Sequence, residues 1–264
     1  MDAASRSIDL GGALRHSALG SMFPDAGDPQ QPADVAVVMP TVLRPVIRRA
    51  ITSIYRQDLA GRIQILIGVD KPLGPLDPLM ALLAQRPPHV AVVLLQLPWS
   101  TSMRHGGLYT SMDSGALRTI LSFMANSRAV AYLDDDNQLL PDHLRLLLQA
   151  LKGKAWAYTQ RVLVDERTDQ DLAVDRWDSV GPDRGRFAEK GGFVDTNCLM
   201  LDTSACSSLF ARWSDAGVGG PGLTADRHLF AALRLQPHGV VSKPTVRYSI
   251  RPTNVLHRLI KGLQ

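Results

Sequence analysis

Four short apolar runs, separated by stretches of helical periodicity, constrain this chain more than anything else in it. Residues 35–39, 63–69, 89–97 and 129–133 are dense in Val, Ile and Leu with little polar alternation, the pattern of strands buried on both faces. Between them, residues 45–58, 76–85 and 114–126 repeat apolar side chains every three or four positions. The first of these does so with Val46, Ile47, Ala50, Ile51 and Ile54, and Pro45 stands in its opening turn. Strands alternating with helices predict an α/β fold: a mainly parallel central sheet, helices on both faces and right-handed crossovers. Ligands of such sheets bind at the carboxyl ends of the strands.

The chain has 264 residues, enough for one large domain. Residues 1–32, rich in Gly, Ser, Ala, Asp and Pro, read as a flexible arm, residues 33–250 as one domain and residues 251–264 as a basic helix or tail. Beyond residue 150 the pattern loosens. Strands are expected at 156–164 and 193–201, and helices at 141–151, 204–213 and 224–235. The charged stretch 165–190 reads either as a loop or hairpin edging a cleft or as plain solvated charge.

The formal net charge is +4, but it is unevenly spread. No acidic residue follows Asp226, and Arg227, Arg234, Lys243, Arg247, Arg251, Arg258 and Lys261 give that segment +7, leaving the preceding part at −3. Three uses fit the basic end: phosphate contacts from Arg247 and Arg251, a peripheral surface for anionic lipid, or solubility. Apart from Tyr248 the cations lack interleaved aromatics, so nucleic acid is not an expected partner. Two cysteines, Cys198 and Cys206, make no disulfide framework, and no Cys/His spacing suits zinc. No apolar run reaches spanning or secretory length. These features point to the cytoplasm, with peripheral contact at the inner face of the membrane as the variant.

The densest chemical signal is Asp134-Asp135-Asp136-Asn137, directly after the apolar run 129–133. On an extended chain Asp134 and Asp136 face one side and Asp135 the other. A hard cation such as Mg²⁺ or Mn²⁺, which takes one or two carboxylates plus substrate phosphates, would relieve their repulsion. The competing explanation is an acidic cap on the helix that begins near Pro141. Thr41 and the turn after Pro40 stand at a strand's carboxyl end, and Asp70 ends the next strand. Residues 99–113 form a polar connection longer than α/β loops usually are, holding Arg104, His105 and Tyr109.

These elements together resemble the family 2 glycosyltransferases. Pro40-Thr41, Arg44-Pro45 and Ser53-Ile54-Tyr55-Arg56-Gln57 match its opening strand and helix, Val69-Asp70 its second-strand aspartate, Gly115-Ala116-Leu117-Arg118 the element preceding its Asp-x-Asp strand, and Asp134-Asp135-Asp136 that motif itself. The likeness covers residues 35–137 and thins afterwards to Gly219-Gly220 and Thr224-Ala225-Asp226-Arg227. Departures are Thr119 where the family has Asn, Lys71 where a paired acid is usual, and Ala225 where a Glu is expected before Asp226. The Gln-x-x-Arg-Trp element of processive synthases is missing.

The resemblance implies a GT-A-type fold, with a nucleotide-sugar half (33–137) and an acceptor half (138–250). It implies non-processive, inverting transfer of a sugar from a nucleoside diphosphate, UDP being favoured, to an unidentified acceptor hydroxyl. Asp134 and Asp136 would hold Mn²⁺ or Mg²⁺. Pro40, Thr41, Arg44, Asp70, Arg118, Asp134, Asp135, Arg247 and Arg251 would contact substrate, and Asp226 would be the catalytic base, with Asp195 in reserve. The alternatives are a sugar-phosphate nucleotidyltransferase, disfavoured by the absence of glycine from 40–49, and a non-catalytic nucleotide-binding relative.

Overall fold

A computed structural model describes residues 20–97, 99–109, 114–215 and 224–262, without the side chain of Arg104. Residues 1–19 of the expected arm, Gly219-Gly220 and Leu263 lie outside the described residues. The four apolar runs form β2 (Ala33–Thr41), β3 (Ile63–Val69), β4 (Val90–Gln96) and β5 (Ser127–Tyr132), hydrogen-bonded in the order β4-β3-β2-β5 and all parallel. β2 and β3 are buried along almost their whole length. This is why those runs carry no polar alternation.

α1 (Ile47–Tyr55) joins β2 to β3, α2 (Asp77–Ala84) joins β3 to β4, and α3 (Gly115–Met124) precedes β5. The sheet therefore grows one way from β2 to β4 and then steps back past β2 to β5. Right-handed crossovers put α1 and α2 on one face and α3 on the other. α3 lies close to the sheet: a Cβ on Gly68 of β3 would come within 2.7 Å of the Leu117 side chain. The reversal between β2 and β5 creates a switch point at their carboxyl ends.

The second half extends the same sheet. β7 (Trp156–Asp165) runs parallel to β12 (His238–Ile250), while β11 (Leu199–Asp202) is inserted antiparallel between β5 and β7. The short β6 (Gln138–Leu139) closes the far edge against β12, and α4 (His143–Leu151) packs on β7 and β12. β8 (Asp171–Val174) folds back on β7, making part of the charged stretch 165–190 a hairpin. The strand expected at 193–201 is broken: β10 (Gly192–Phe193) pairs with β9 (Gly181–Pro182), and a 3-10 turn, Thr196–Cys198, precedes β11. Asp195 causes the break by accepting the backbone N–H of Asn197 and so capping that turn. The helix at 204–213 is one α-turn, α5 (Thr203–Cys206), continued as 3-10 helix over Ser207–Ser214, and the one at 224–235 is α6 (Ala225–Leu233).

The arm expected over 1–32 is corrected for residues 20–32. β1 (Gly20–Phe23) pairs antiparallel with β4, and Asp25 accepts two hydrogen bonds from the Arg62 guanidinium, 2.7 and 3.0 Å. A β-edge and a forked ion pair hold a segment whose composition suggested none. At the other end, α7 (Val255–Ile260) buries Leu256 against Leu163 and Ile250, with Leu259 and Ile260 packed beside them. Its apolar face is thus turned to protein, and Arg258 and Lys261 stay exposed. No helix among the described residues is long and apolar enough to cross a membrane.

Candidate active site

A cleft of about 350 Å³ opens at the switch point between β2 and β5. Thr41 ends β2, and its hydroxyl donates to Asp135 at 2.7 Å while accepting the N–H of Leu43 at 2.9 Å. Leu43 takes a left-handed backbone, φ +61°, unusual for a residue with a branched side chain. Gly74 accommodates it, because a Cβ there would stand 2.6 Å from the Leu43 carbonyl oxygen. The turn sends Arg44 back over the acidic run, where its guanidinium binds Asp135 and, at 3.1 Å, Asp136.

Asp135 is 3% exposed and is held by Thr41 and Arg44. Asp134, Asp135 and Asp136 all line the cleft. The run is not extended as expected but turns after β5, the Asn137 N–H donating to the Asp134 carbonyl at 3.2 Å, so strand alternation does not send Asp135 to the other side. Burial, and next the charge of Asp134, push the Asp136 carboxyl up to about 6. Arg118 of α3 is only 7% exposed and binds Asp134. Ser114, just ahead of α3, lines the same cleft, so the positive end of that helix faces it.

Asn197 was not singled out in the sequence, yet it fixes Asp134 at two points. Its Oδ1 accepts the Asp134 N–H at 2.7 Å, and its Nδ2 donates to the Asp134 carboxylate at 3.0 Å. The same amide donates to Asp195 at 2.8 Å. Asp195 is bound by Arg161, which also binds Asp175, at 2.7 and 2.8 Å. Arg161 lies under the Tyr248 ring, 3.9 Å from its centre, and Tyr248 forms part of the cleft wall. A chain of polar groups therefore runs from the buried Asp175, Arg161, Asp195 and Asn197 to the part-exposed Asp134 and satisfies the charges it buries. Ser249 of β12 completes the rim, donating its N–H to Asn137 and its hydroxyl to the Asp136 carbonyl, both at 2.8 Å. The Asp195-Thr196-Asn197 triplet directly before an apolar strand was the available signal for this support.

Asp226 lies in the first turn of α6, half-buried, bound by the Thr224 hydroxyl and by the N–H of Arg227 at 2.9 Å. Burial raises its pKa. The nearby charge of Asp195 also acts upward, and those of Arg118 and Arg227 downward. Asp226 is not among the residues that line the cleft. Asp195 itself is 7% exposed and occupied by Arg161 and Asn197, so it supports the site and is not free to take a proton from substrate.

Three further expectations are corrected. Asp70 is 1% exposed and does not line the cleft; it accepts from the Thr101 N–H at 2.8 Å and from the Ser100 hydroxyl at 2.9 Å, anchoring the start of the 99–113 connection. Arg251 is exposed and pairs with Glu166. Arg247 points into a neighbouring cleft and pairs with Asp169 and Asp171. His105 falls in a short 3-10 turn, Met103–His105, away from the cleft lining.

Among the described residues no group of three or more His, Cys, Asp and Glu is arranged to hold a metal ion. Asp134 and Asp136 nevertheless supply two hard oxygen donors beside an open cleft. That donor set fits Mg²⁺ or Mn²⁺ shared with a phosphate ligand.

The sheet order, its reversal at β2 and β5 and the acidic run after β5 define a GT-A-type fold. No protein-family model matches the sequence, and no curated protein matches it significantly. Solved structures do resemble it. TarS of S. aureus, residues 1–349, superposes with TM-score 0.58 at 13% identity, over 82% of this chain and 60% of that one. Its complex with UDP-GlcNAc gives 0.59 at 11%, over 85% and 60%. The mannosyltransferase PcManGT from Pyrobaculum calidifontis, in complex with GDP-Man and Mn²⁺, gives 0.55 at 13%, over 90% and 63%. At these identities the likeness is one of fold, and the chain spans about 60% of the length of each of these structures.

Proposed function

We propose that the protein transfers a sugar from a nucleoside-diphosphate sugar, UDP-linked in the first instance, to an acceptor hydroxyl, inverting the anomeric centre and acting once per encounter. The observation that carries this reading is the convergence, at the switch point, of the cleft-lining carboxylates Asp134, Asp135 and Asp136 with Arg44, Arg118 and the start of α3. That set suits a cation–diphosphate pair. It is supported by the fold likeness to structures solved with UDP-GlcNAc and with GDP-Man and Mn²⁺.

In this reading Pro40 and Thr41 border the nucleoside, and Asp134 and Asp136 hold Mn²⁺ or Mg²⁺. Bound there, the cation would neutralise charge developing on the leaving diphosphate. Arg44 and Arg118, which pair with the acids, would turn their guanidinium forks to the phosphate oxygens. Asn197 keeps Asp134 in place as those partners exchange. The acceptor oxygen bonds to the anomeric carbon from the face opposite the diphosphate. The old carbon–oxygen bond leaves with its electron pair on the diphosphate, and the hydroxyl proton passes to Asp226. A carboxyl whose pKa burial has raised is a better base than an exposed one near neutral pH.

Thermal-shift binding of UDP, GDP, CDP and dTDP with and without Mn²⁺, followed by turnover of the matching nucleotide sugars, tests the proposal. At least one diphosphate should raise the melting temperature in a cation-dependent way, and Asp136→Ala should abolish that dependence. Asp226→Asn should bind normally and lose turnover. A native protein that binds but never turns over would instead be a non-catalytic relative.

A further inference from the structure

A second cleft, about 400 Å³, lies beside the first. One wall is α1, whose residues 48, 49, 52 and 56 follow helical spacing and present Arg48, Arg49, Thr52 and Arg56 to it. The other wall is the β6–β12 edge, where Arg247 sits in register with Gln138. Four guanidinium groups thus surround one cavity. Asp169 pairs with Arg49, and Asp169 and Asp171 pair with Arg247. Arg48 and Arg56 are exposed and have no ion pair among the described residues, so the cleft retains two uncompensated positive charges. Turned about its last bond, the Gln138 amide places its oxygen 3.0 Å from Arg49 and 3.3 Å from Arg247 Nη1. A neutral acceptor then stands between two forks suited to the oxygens of an anion.

We propose that this cleft binds a phosphate ester, and that the ester is the phosphoryl group of the acceptor. The second clause rests on the glycosyl-transfer reading; the first stands on the cleft alone. The two clefts adjoin along the same strands. Asn137 and Ser249 line the carboxylate cleft, whereas Gln138 and Arg247 line the basic one. Two residues along β12 span about 7 Å. A phosphate seated among the arginines is therefore about one sugar or polyol unit from the proposed reaction centre. Planar guanidinium groups bind phosphate with two parallel hydrogen bonds.

Titrating the full chain with glycerol 3-phosphate, and separately with phosphatidylglycerol vesicles against phosphatidylcholine vesicles, tests the site. The control is Arg48→Glu/Arg56→Glu, which changes two exposed side chains. The native protein should bind a phosphate probe at least tenfold more tightly than the double variant, with UDP–Mn²⁺ affinity equal in both. Glycerol 3-phosphate binding assigns the ester to a soluble ligand, and binding confined to anionic vesicles assigns it to a lipid headgroup. Absence of both, or binding that survives the double substitution, overturns the proposal. If no nucleotide binds while phosphate binding remains sensitive to the variant, the cleft stands and only its tie to glycosyl transfer falls.

Discussion

Asp134 and Asp136 are one residue apart from a shared neighbour but are controlled by different partners. Asp134 is held through Asn197 by two hydrogen bonds. Asn197→Ala should therefore weaken cation-dependent nucleotide binding about 10- to 100-fold, as loss of an orienting partner typically does. Calorimetric titration of UDP with Mn²⁺ checks this, and binding without cation should change far less. Asp136 is destabilised by burial and by Asp134, its pKa raised from 3.8 to about 6. A carboxylate with a raised native pKa stabilises the fold when protonated, below the unfolded value, and that contribution is lost as pH rises through about 6. In cation-free protein Asp136→Asn should accordingly raise stability by about 1–3 kcal/mol at pH 7.5, and the gain should vanish near pH 4. Urea denaturation at the two pH values measures it.

Among the elements, α3 is placed by the absence of a side chain on the sheet beneath it. A methyl group on Gly68 would enter the space of Leu117. Gly68→Ala should cost about 1–3 kcal/mol of stability, the usual result of overpacking. Because α3 carries Ser114 and Arg118 to the cleft, diphosphate affinity should fall in the same variant, although residue 68 touches no ligand. The 3-10 turn Thr196–Cys198 shows the complementary case. Asp195 ends the strand there, and that interruption is what places Asn197 beside Asp134.

Over the whole molecule, one continuous sheet from β1 to β6 ties the carboxylate cleft to the far edge, and buried titratable groups couple that assembly to pH. His143 on α4 is fully buried, shares a 2.8 Å hydrogen bond with Thr245 of β12, and has its pKa lowered by burial to about 3. The unfolded chain takes up this proton from pH 6.5 downward and the native state does not. Stability present above pH 6.5 is therefore lost progressively as pH falls toward 3. From this group alone the loss at pH 5 should be about 2 kcal/mol. Melting curves of native protein and His143→Gln between pH 7 and 5 should converge in slope only if another group dominates.

The sequence by itself determined the β/α alternation of the first half and the position of the acidic run. A strand buried on both faces must be apolar throughout, and a helix packed on it must repeat every three or four residues, so both are written locally. β12 was not legible, because 13 residues that include Lys243, Pro244 and several half-exposed positions carry no such run. Nor was β1, whose four alternately exposed residues are held by β4 and not by their own propensity. Only the tertiary structure decided which partners meet the carboxylates. Arg44 reaches Asp135 across 91 positions, Asn197 reaches Asp134 across 63, and Ser249 reaches Asn137 across 112. It likewise moved Arg247 from the expected diphosphate site to the basic cleft and turned Asp70 inward. Those outcomes follow from strand order and from where each strand stops, quantities set by long-range packing and invisible to any local pattern of residues.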